Sequence, residues 1–152
     1  MNIGDKFPDL LGLDADNNEI RISNYPDKKI ALYFYPKDNT SGCTAQACSL
    51  RDAYQDLIDA GYQVIGCSVD SAASHKKFEQ KHGLPFPLIS DPDHKLVTLA
   101  GVWGEKSMYG RKYMGTMRTT FILASDGTVE QILTPKQIKT RAHADQILAL
   151  PR

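Results

Sequence analysis

The stretch of sequence that decides the fold is IALYFYPKDNTSGCTAQAC, residues 30–48. Its first part, Ile30 to Tyr35, is rich in β-branched and aromatic residues and stops at Pro36, which is typical of a buried central strand. A polar loop follows, and then a pattern of apolar residues at helical spacing that contains two cysteines. A buried strand that leads through a short loop into a helix predicts an α/β protein.

The rest of the chain continues this alternation of strands and helices. The helical pattern runs on to Gly61, a typical helix end, whereas residues 101–117 show no clear period and predict a long irregular segment of the kind that often has a functional role. The other expected elements are strands at 19–22, 64–69, 88–90, 119–123 and 129–133, the last two joined by a turn at Asp126-Gly127, and helices at 72–82, 95–100 and from Gln137 or Arg141 to Leu150. This order predicts a single α/β domain over residues 1–152, with a mixed central sheet flanked by helices on both faces.

Composition and charge exclude several classes of protein. The 18 Lys and Arg residues balance the 18 Asp and Glu residues, so the net charge is zero, whereas a nucleic-acid-binding protein normally carries a basic excess. The longest apolar run is the strand at 30–35, and no signal peptide or membrane span is visible. We therefore expect no nucleic-acid partner, no membrane partner and a reducing, cytoplasmic location. The chain has three cysteines, too few for a disulfide framework, and in that location cysteines close in sequence are more often catalytic or metal-binding than structural.

Cys43 stands where the predicted loop meets the predicted helix. A helix N-terminus carries a partial positive charge and free N–H groups, both of which favour a thiolate over a thiol. The helix has no Asp or Glu before Asp52, so no carboxylate would compete with a thiolate for that charge. We therefore interpret Cys43 as a reactive thiol; the alternative is a small apolar residue at a helix start.

Cys48 follows five residues later, and this spacing limits what the pair can do. Five residues of an ideal helix put two Cα atoms about 8–9 Å apart, whereas a disulfide needs them within about 7 Å. A disulfide between Cys43 and Cys48 would therefore require the first helical turns to unwind, which predicts a site with two conformations; the alternative for Cys48 is a buried helix residue. We interpret Cys67, in a predicted apolar strand, as a core residue. No histidine lies at a typical ligand spacing from the first two cysteines, so we expect no metal and no other cofactor.

The pattern Pro36-x-x-x-Thr40-x-x-Cys43 resembles the active-site motif of the peroxiredoxins. The longer string of residues 34–44, together with the second cysteine, is similar to the bacterioferritin-comigratory, or Q-type, subfamily. Further segments that match this subfamily, in the same order, are residues 101–106, 108–110 and 118–121. Because the resemblance covers nearly the whole chain, it implies a thioredoxin-like fold and a thiol-dependent peroxidase.

The resemblance also implies a role for each matching residue. Cys43 would be the peroxidatic nucleophile, which reduces hydrogen peroxide or an organic hydroperoxide and becomes a sulfenic acid. Thr40 would hydrogen-bond the thiolate and the peroxide oxygens, Arg118 would supply fixed positive charge, and Pro36 would shield the site. Cys48 would resolve the sulfenic acid as an intramolecular disulfide, which thioredoxin or a similar dithiol reduces. For the assembly we expect a monomer or a weak dimer.

The sequence departs from the subfamily at two positions beside the cysteines. Ser41 stands where members often have Pro, and Gln46 stands where they often have Glu, so any role of that acid is open here. The chain also lacks the Gly-Gly-Leu-Gly loop and the C-terminal Tyr-Phe extension of members that over-oxidise easily, which predicts relative resistance of Cys43 to over-oxidation. Two other functions stay open from the residues alone. One is a protein disulfide oxidoreductase, against which the missing Cys-x-x-Cys argues, and the other is a redox-sensing or chaperone-like binding module.

Overall fold

Residues 1–151 are described by a computed structural model, in which the strands form one seven-stranded sheet and one separate hairpin. The strands are β1 (Leu10–Leu13), β2 (Glu19–Arg21), β3 (Lys29–Phe34), β4 (Tyr62–Ser68), β5 (Leu88–Ser90), β6 (Trp103–Met108), β7 (Arg111–Thr116), β8 (Thr119–Leu123) and β9 (Val129–Leu133). The helices are α1 (Ser41–Asp52), α2 (Tyr54–Asp59), α3 (Ala72–His82), α4 (Lys95–Ala100) and α5 (His143–Leu148), with short 3-10 helices at Ile22–Asn24 and Thr140–Ala142. Among these described residues, no helix combines the length and the apolarity that a membrane span needs.

The large sheet is mixed and has the strand order β2-β1-β5-β4-β3-β8-β9. β3 is parallel to β4 and antiparallel to β8, and its residues alternate between the two faces of the sheet. Leu32 and Phe34 pack in a core that α4 covers, whereas Ala31 and Tyr33 pack in a second core formed with α1, α2, α3 and α5. The predicted mixed sheet with helices on both faces is therefore confirmed.

In the first half of the chain, one expectation is wrong and one strand was not predicted. The helix predicted to continue to Gly61 is interrupted at Ala53, whose φ of −104° and ψ of 16° depart from α-helical values, so α1 and α2 are separate. β1 is the strand that was not predicted. It pairs with both β2 and β5 and so joins the edge strand β2 to the rest of the sheet. It is short and its burial pattern has only one fully buried residue, Leu11, so it has little periodic signal.

The segment 101–117, predicted to be irregular, forms the β6–β7 hairpin. The two strands pair in antiparallel register over their whole length, and both turn residues, Tyr109 and Gly110, have positive φ, 52° and 76°, as in a type I′ turn. Most side chains of the hairpin are exposed on both faces, so the sequence has no alternation of apolar and polar residues to reveal the strands. The hairpin returns the chain to Arg118, immediately before β8.

Candidate active site

Cys43 is the third residue of α1, after the loop that leaves the end of β3. Its side chain is only 2% exposed, and the first turn of the helix contains no acidic residue. The free N–H groups and the partial positive charge of the helix start therefore act on a thiol that is largely shielded from water. The predicted helix start without carboxylates is confirmed.

The guanidinium of Arg118 lies against this thiol, although the two residues are 75 positions apart. Nη2 donates to Sγ of Cys43 at 3.3 Å, and Nη1 donates to Oε1 of Gln46, one turn further along α1. Arg118 takes part in none of the ion pairs found among residues 1–151, so no carboxylate there neutralises its charge. A fixed, uncompensated cation beside the sulfur can stabilise negative charge that develops on an oxygen bound there.

Gln46 and Lys106 complete this environment, and neither was predicted as a site residue. Gln46 is fully buried and holds Arg118 through a neutral amide, which orients the guanidinium without cancelling its charge. Lys106 in β6 donates from Nζ to the carbonyl of Thr116 at 2.9 Å. Partial burial lowers the pKa of the Lys106 ammonium, and the charge of Arg118 lowers it further, while Cys43 acts in the opposite direction. The hairpin that positions Lys106 has no periodic pattern, so periodicity could not have placed this lysine near the thiol.

Thr40 and Pro36 lie in the segment that leads to Cys43, and Thr40 flanks the first residue of α1. The Thr40 carbonyl accepts a hydrogen bond from the N–H of Thr44 at 2.9 Å, while its hydroxyl donates to the carbonyl of Lys37 at 2.9 Å. Pro36 is half-buried and has no N–H to donate. The structure thus joins Arg118 to the thiol by a direct contact, whereas the Thr40 hydroxyl points its proton at Lys37.

The three cysteines are all free thiols, in three different settings. Cys48 is half-buried on the same unbroken helix as Cys43, so the two Cα atoms are about 8–9 Å apart and cannot be bridged while α1 is intact. Cys67 is fully buried in β4, where burial raises the pKa of its thiol well above the ordinary value. Cys67 therefore lies in the core, as its apolar surroundings predicted.

One group of side chains in the described part of the chain has a composition that could hold a metal ion. Ligand atoms of Asp38, Asp70 and His75 lie within 4.8 Å of one another. These atoms already have partners, since Nδ1 of His75 contacts Oδ2 of Asp38 at 2.7 Å, its Nε2 contacts the carbonyl of Ile89 at 2.9 Å, and Oδ2 of Asp70 accepts from Ser68 at 2.6 Å. With both ring nitrogens directed at acceptors, His75 has no lone pair for a metal. Hydrogen bonding alone accounts for this cluster.

Comparison with known proteins shows the family to which this chain is similar. Residues 3–132 match the AhpC/TSA family. The chain is 41% identical over 149 residues to Peroxiredoxin Bcp of Bacillus subtilis (strain 168), a match that covers 97% of this chain and 93% of that protein. It is 38% identical over 148 residues to Peroxiredoxin Bcp of Escherichia coli (strain K12), covering 97% of this chain and 94% of that one.

Solved structures agree with these relatives. A cysteine-to-serine mutant of PrxQ from Xylella fastidiosa matches with a TM-score of 0.86 and 33% identity, over 97% of this chain and 93% of that chain. The bacterioferritin comigratory protein of Xanthomonas campestris matches with a TM-score of 0.82 and 34% identity, over 95% of this chain and 96% of that chain. Its structures address its alkyl peroxide reduction activity. The predicted thioredoxin-like fold is therefore confirmed. On this similarity along nearly its whole length, the chain belongs to the AhpC/TSA family and is a thiol-dependent peroxidase, a peroxiredoxin of the Bcp, or Q, type.

Proposed function

We propose that Cys43 is the peroxidatic cysteine and that Arg118 is its electrostatic partner. The observation that carries this assignment is the 3.3 Å contact between Nη2 of Arg118 and Sγ of Cys43 at the start of α1. The thiolate attacks one peroxide oxygen, so that an S–O bond forms while the O–O bond breaks. The leaving oxygen takes up a proton to become an alcohol or water, and Cys43 becomes a sulfenic acid. Arg118 is placed to stabilise the negative charge as it moves from sulfur to the leaving oxygen.

Thr40 and Pro36 shape the approach to the sulfur in this proposal. Because the Thr40 hydroxyl donates to Lys37, its oxygen is free to accept a hydrogen bond from the O–H of a hydroperoxide. Pro36, half-buried and without an N–H, covers the loop without competing for the substrate's oxygens. These two residues therefore orient the peroxide, and the charge is supplied by Arg118.

Cys48 resolves the sulfenic acid in the second step. Its thiolate attacks the sulfur of oxidised Cys43, an S–S bond forms, the S–O bond breaks, and the released hydroxide is protonated to water. The first turn of α1 must unwind for this step. The sequence favours unwinding at this end, because Gly42 in the first turn is a weaker helix former than Ala, whereas Ala47 and Leu50 are fully buried and hold the remainder of α1.

A thioredoxin-type dithiol then returns two electrons and two protons and restores both thiols. The substrates in this proposal are hydrogen peroxide and organic hydroperoxides. The protein acts as a monomer or weak dimer in a reducing cytoplasm, and it has no nucleic-acid or membrane partner. The zero net charge supports this choice, because a small uncharged oxidant needs no long-range electrostatic steering. The positive charge that matters is the local one of Arg118.

Peroxide-dependent oxidation of NADPH, coupled through thioredoxin and its reductase, tests the proposal. We expect turnover in the wild type and in Cys67→Ser, no turnover in Cys43→Ser, and in Cys48→Ser a single round of peroxide consumption without turnover. Peptide mapping of the oxidised wild type should show Cys43 joined to Cys48, with faster amide exchange in the first turns of α1. Turnover by Cys43→Ser would refute the assignment. A disulfide that forms without peroxide consumption would favour a protein disulfide oxidoreductase.

A further inference from the structure

The loop between β3 and α1 is fastened to the rest of the protein by Asp38, whose side chain is almost fully buried. Oδ1 accepts a hydrogen bond from the hydroxyl of Tyr35 at 2.6 Å. Oδ2 accepts one from the hydroxyl of Ser74 at 2.8 Å and one from Nδ1 of His75 at 2.7 Å. The backbone N–H of Asp38 donates to Oδ2 of Asp70 at 2.9 Å. None of these partners belongs to α1; two of them lie in α3 and Asp70 lies just before it, so the loop is held mainly from the side of α3.

His75 forms a buried ion pair with Asp38. Its Nε2 contacts the carbonyl of Ile89 at 2.9 Å, and because a carbonyl can only accept, this nitrogen carries a proton. Nδ1 faces the carboxylate of Asp38, which when ionised also only accepts, so the geometry favours the doubly protonated imidazolium. The side chains of His75 and Asp38 are 0% and 1% exposed. Burial opposes the charge, yet the carboxylate outweighs it and the pKa of His75 is raised. Removing either partner would leave an unpaired charge in the interior.

The position of this pair in the chain connects it with the active site. Asp38 lies two residues before Thr40 and five before Cys43, at the fixed end of the segment that delivers the thiol to Arg118. On the other side of Cys43, the first turn of α1 is held at Arg118, which contacts both the thiol and Gln46. The reacting sulfur is therefore placed from two directions, by an anchored loop behind it and by a guanidinium in front of it.

We propose that the buried Asp38–His75 pair is a positioning unit for the peroxidase reaction, which fixes the backbone before α1 so that the thiol of Cys43 meets Arg118. The pair touches neither the sulfur nor the peroxide. It holds the loop while the first turn of α1 is wound, and it remains the fixed end when that turn unwinds. Weakening the pair therefore disfavours the wound arrangement, which reacts with peroxide, relative to the unwound one, which forms the disulfide.

The test separates these two steps in His75→Gln. Rapid-mixing measurements of peroxide consumption give the rate constant for oxidation of Cys43, and quenched samples analysed by mass spectrometry give the rate of disulfide formation. We expect oxidation to be slower by at least about tenfold, since a displacement of about 1 Å at reacting groups can cost about 10²-fold. Disulfide formation should be at least as fast as in the wild type. An oxidation rate within a factor of two of the wild type, or both steps slowed by the same factor, would overturn the proposal.

Val129→Ala is the matched control for loss of stability. Val129 is buried in β9, in the core on the opposite face of the sheet from Cys43. Val129→Ala should lower the unfolding temperature and leave both rate constants unchanged. If His75 had only a structural role, His75→Gln would give this same result. If His75→Gln does not fold, Tyr35→Phe and Ser74→Ala decide the question by the same criteria. Each removes one hydrogen bond from Asp38 and keeps the ion pair. Each should slow oxidation of Cys43 by a smaller factor than His75→Gln does, without slowing disulfide formation.

The inference rests on the assignment of Cys43 as the reacting thiol, but the two can fail separately. Turnover that persists in Cys43→Ser would refute the assignment whatever His75 does. Loss of turnover in Cys43→Ser together with unchanged rates in folded His75→Gln would refute the positioning unit alone.

Discussion

Cys43 and Cys67 are almost equally hidden from solvent, 2% and 0% exposed, yet their surroundings are opposite. Cys43 lies in the first turn of α1 and contacts the guanidinium of Arg118. Cys67 lies within β4 in an apolar core, where burial and, to a smaller extent, the carboxylate of Asp91 raise the pKa of its thiol. On the proposal that Cys43 is the reacting thiol, it differs from Cys67 in the charge that its neighbours supply, whereas exposure does not distinguish the two.

The largest effect that would test this comparison is in alkylation. In the native protein at neutral pH, iodoacetamide should modify Cys43 at least about 10³-fold faster than Cys67. The guanidinium of Arg118 lies beside the sulfur of Cys43, whereas burial raises the pKa of the Cys67 thiol and so disfavours the thiolate with which iodoacetamide reacts. Peptide-resolved mass spectrometry of timed samples measures both rates. In denaturant the difference should disappear, and comparable rates in the native protein would contradict the comparison.

Arg118→Met removes the cation and keeps much of the side-chain volume. We expect the rate constant of Cys43 with peroxide to fall by about 10²–10³-fold, which is typical when one preorganised charge donor is lost from a reaction centre. Rapid-mixing kinetics measure it. Arg21→Met is the control, because Arg21 pairs with Asp9 and Glu19 at the sheet edge and should leave the rate unchanged. A similar loss in both variants would show that Arg118 acts through stability.

Gln46→Glu would give Arg118 the carboxylate that it lacks among the described residues. The new ion pair compensates the guanidinium charge beside the sulfur. Two unit charges about 6–10 Å apart interact by roughly 2–3 kcal/mol at an effective dielectric constant near 20, so oxidation of Cys43 should slow by about 10–10²-fold. The same kinetic assay applies. Gln80→Glu, on an exposed position of α3, adds the same charge away from the site and serves as the control. An unchanged rate in Gln46→Glu would mean that the local charge balance is not rate-determining.

The smallest effect is expected at the inert cysteine. Cys67→Ser places a hydroxyl in an apolar core and should lower the free energy of unfolding by about 1–3 kcal/mol, with turnover unchanged. Urea unfolding followed by circular dichroism measures the loss, and the coupled peroxidase assay checks turnover. Impaired turnover in a folded Cys67→Ser would give this residue a role that its position in β4 does not provide.

The two hairpins show how far the fold could be predicted from the sequence. The β8–β9 hairpin has the predicted bounds, because apolar strands flank a turn whose Gly127 has a φ of 93°. The β6–β7 hairpin was missed, since its side chains are exposed on both faces and carry no alternation. Its Tyr109-Gly110 turn was the only local signal, and a turn alone does not define two strands. Periodicity reveals an element only when one face of it is buried.

The sequence by itself determined the strand, loop and helix of residues 30–48, the helix start without carboxylates, and a spacing of the first two cysteines that forbids a disulfide in an intact helix. These properties are local, since they depend on neighbours within a few residues. Only the tertiary structure decided that Arg118 meets Cys43 and that His75 meets Asp38, 37 residues away. Contacts between distant side chains depend on strand order and helix packing, and an aspartate in a loop has the same local pattern whether it is solvated or buried in an ion pair.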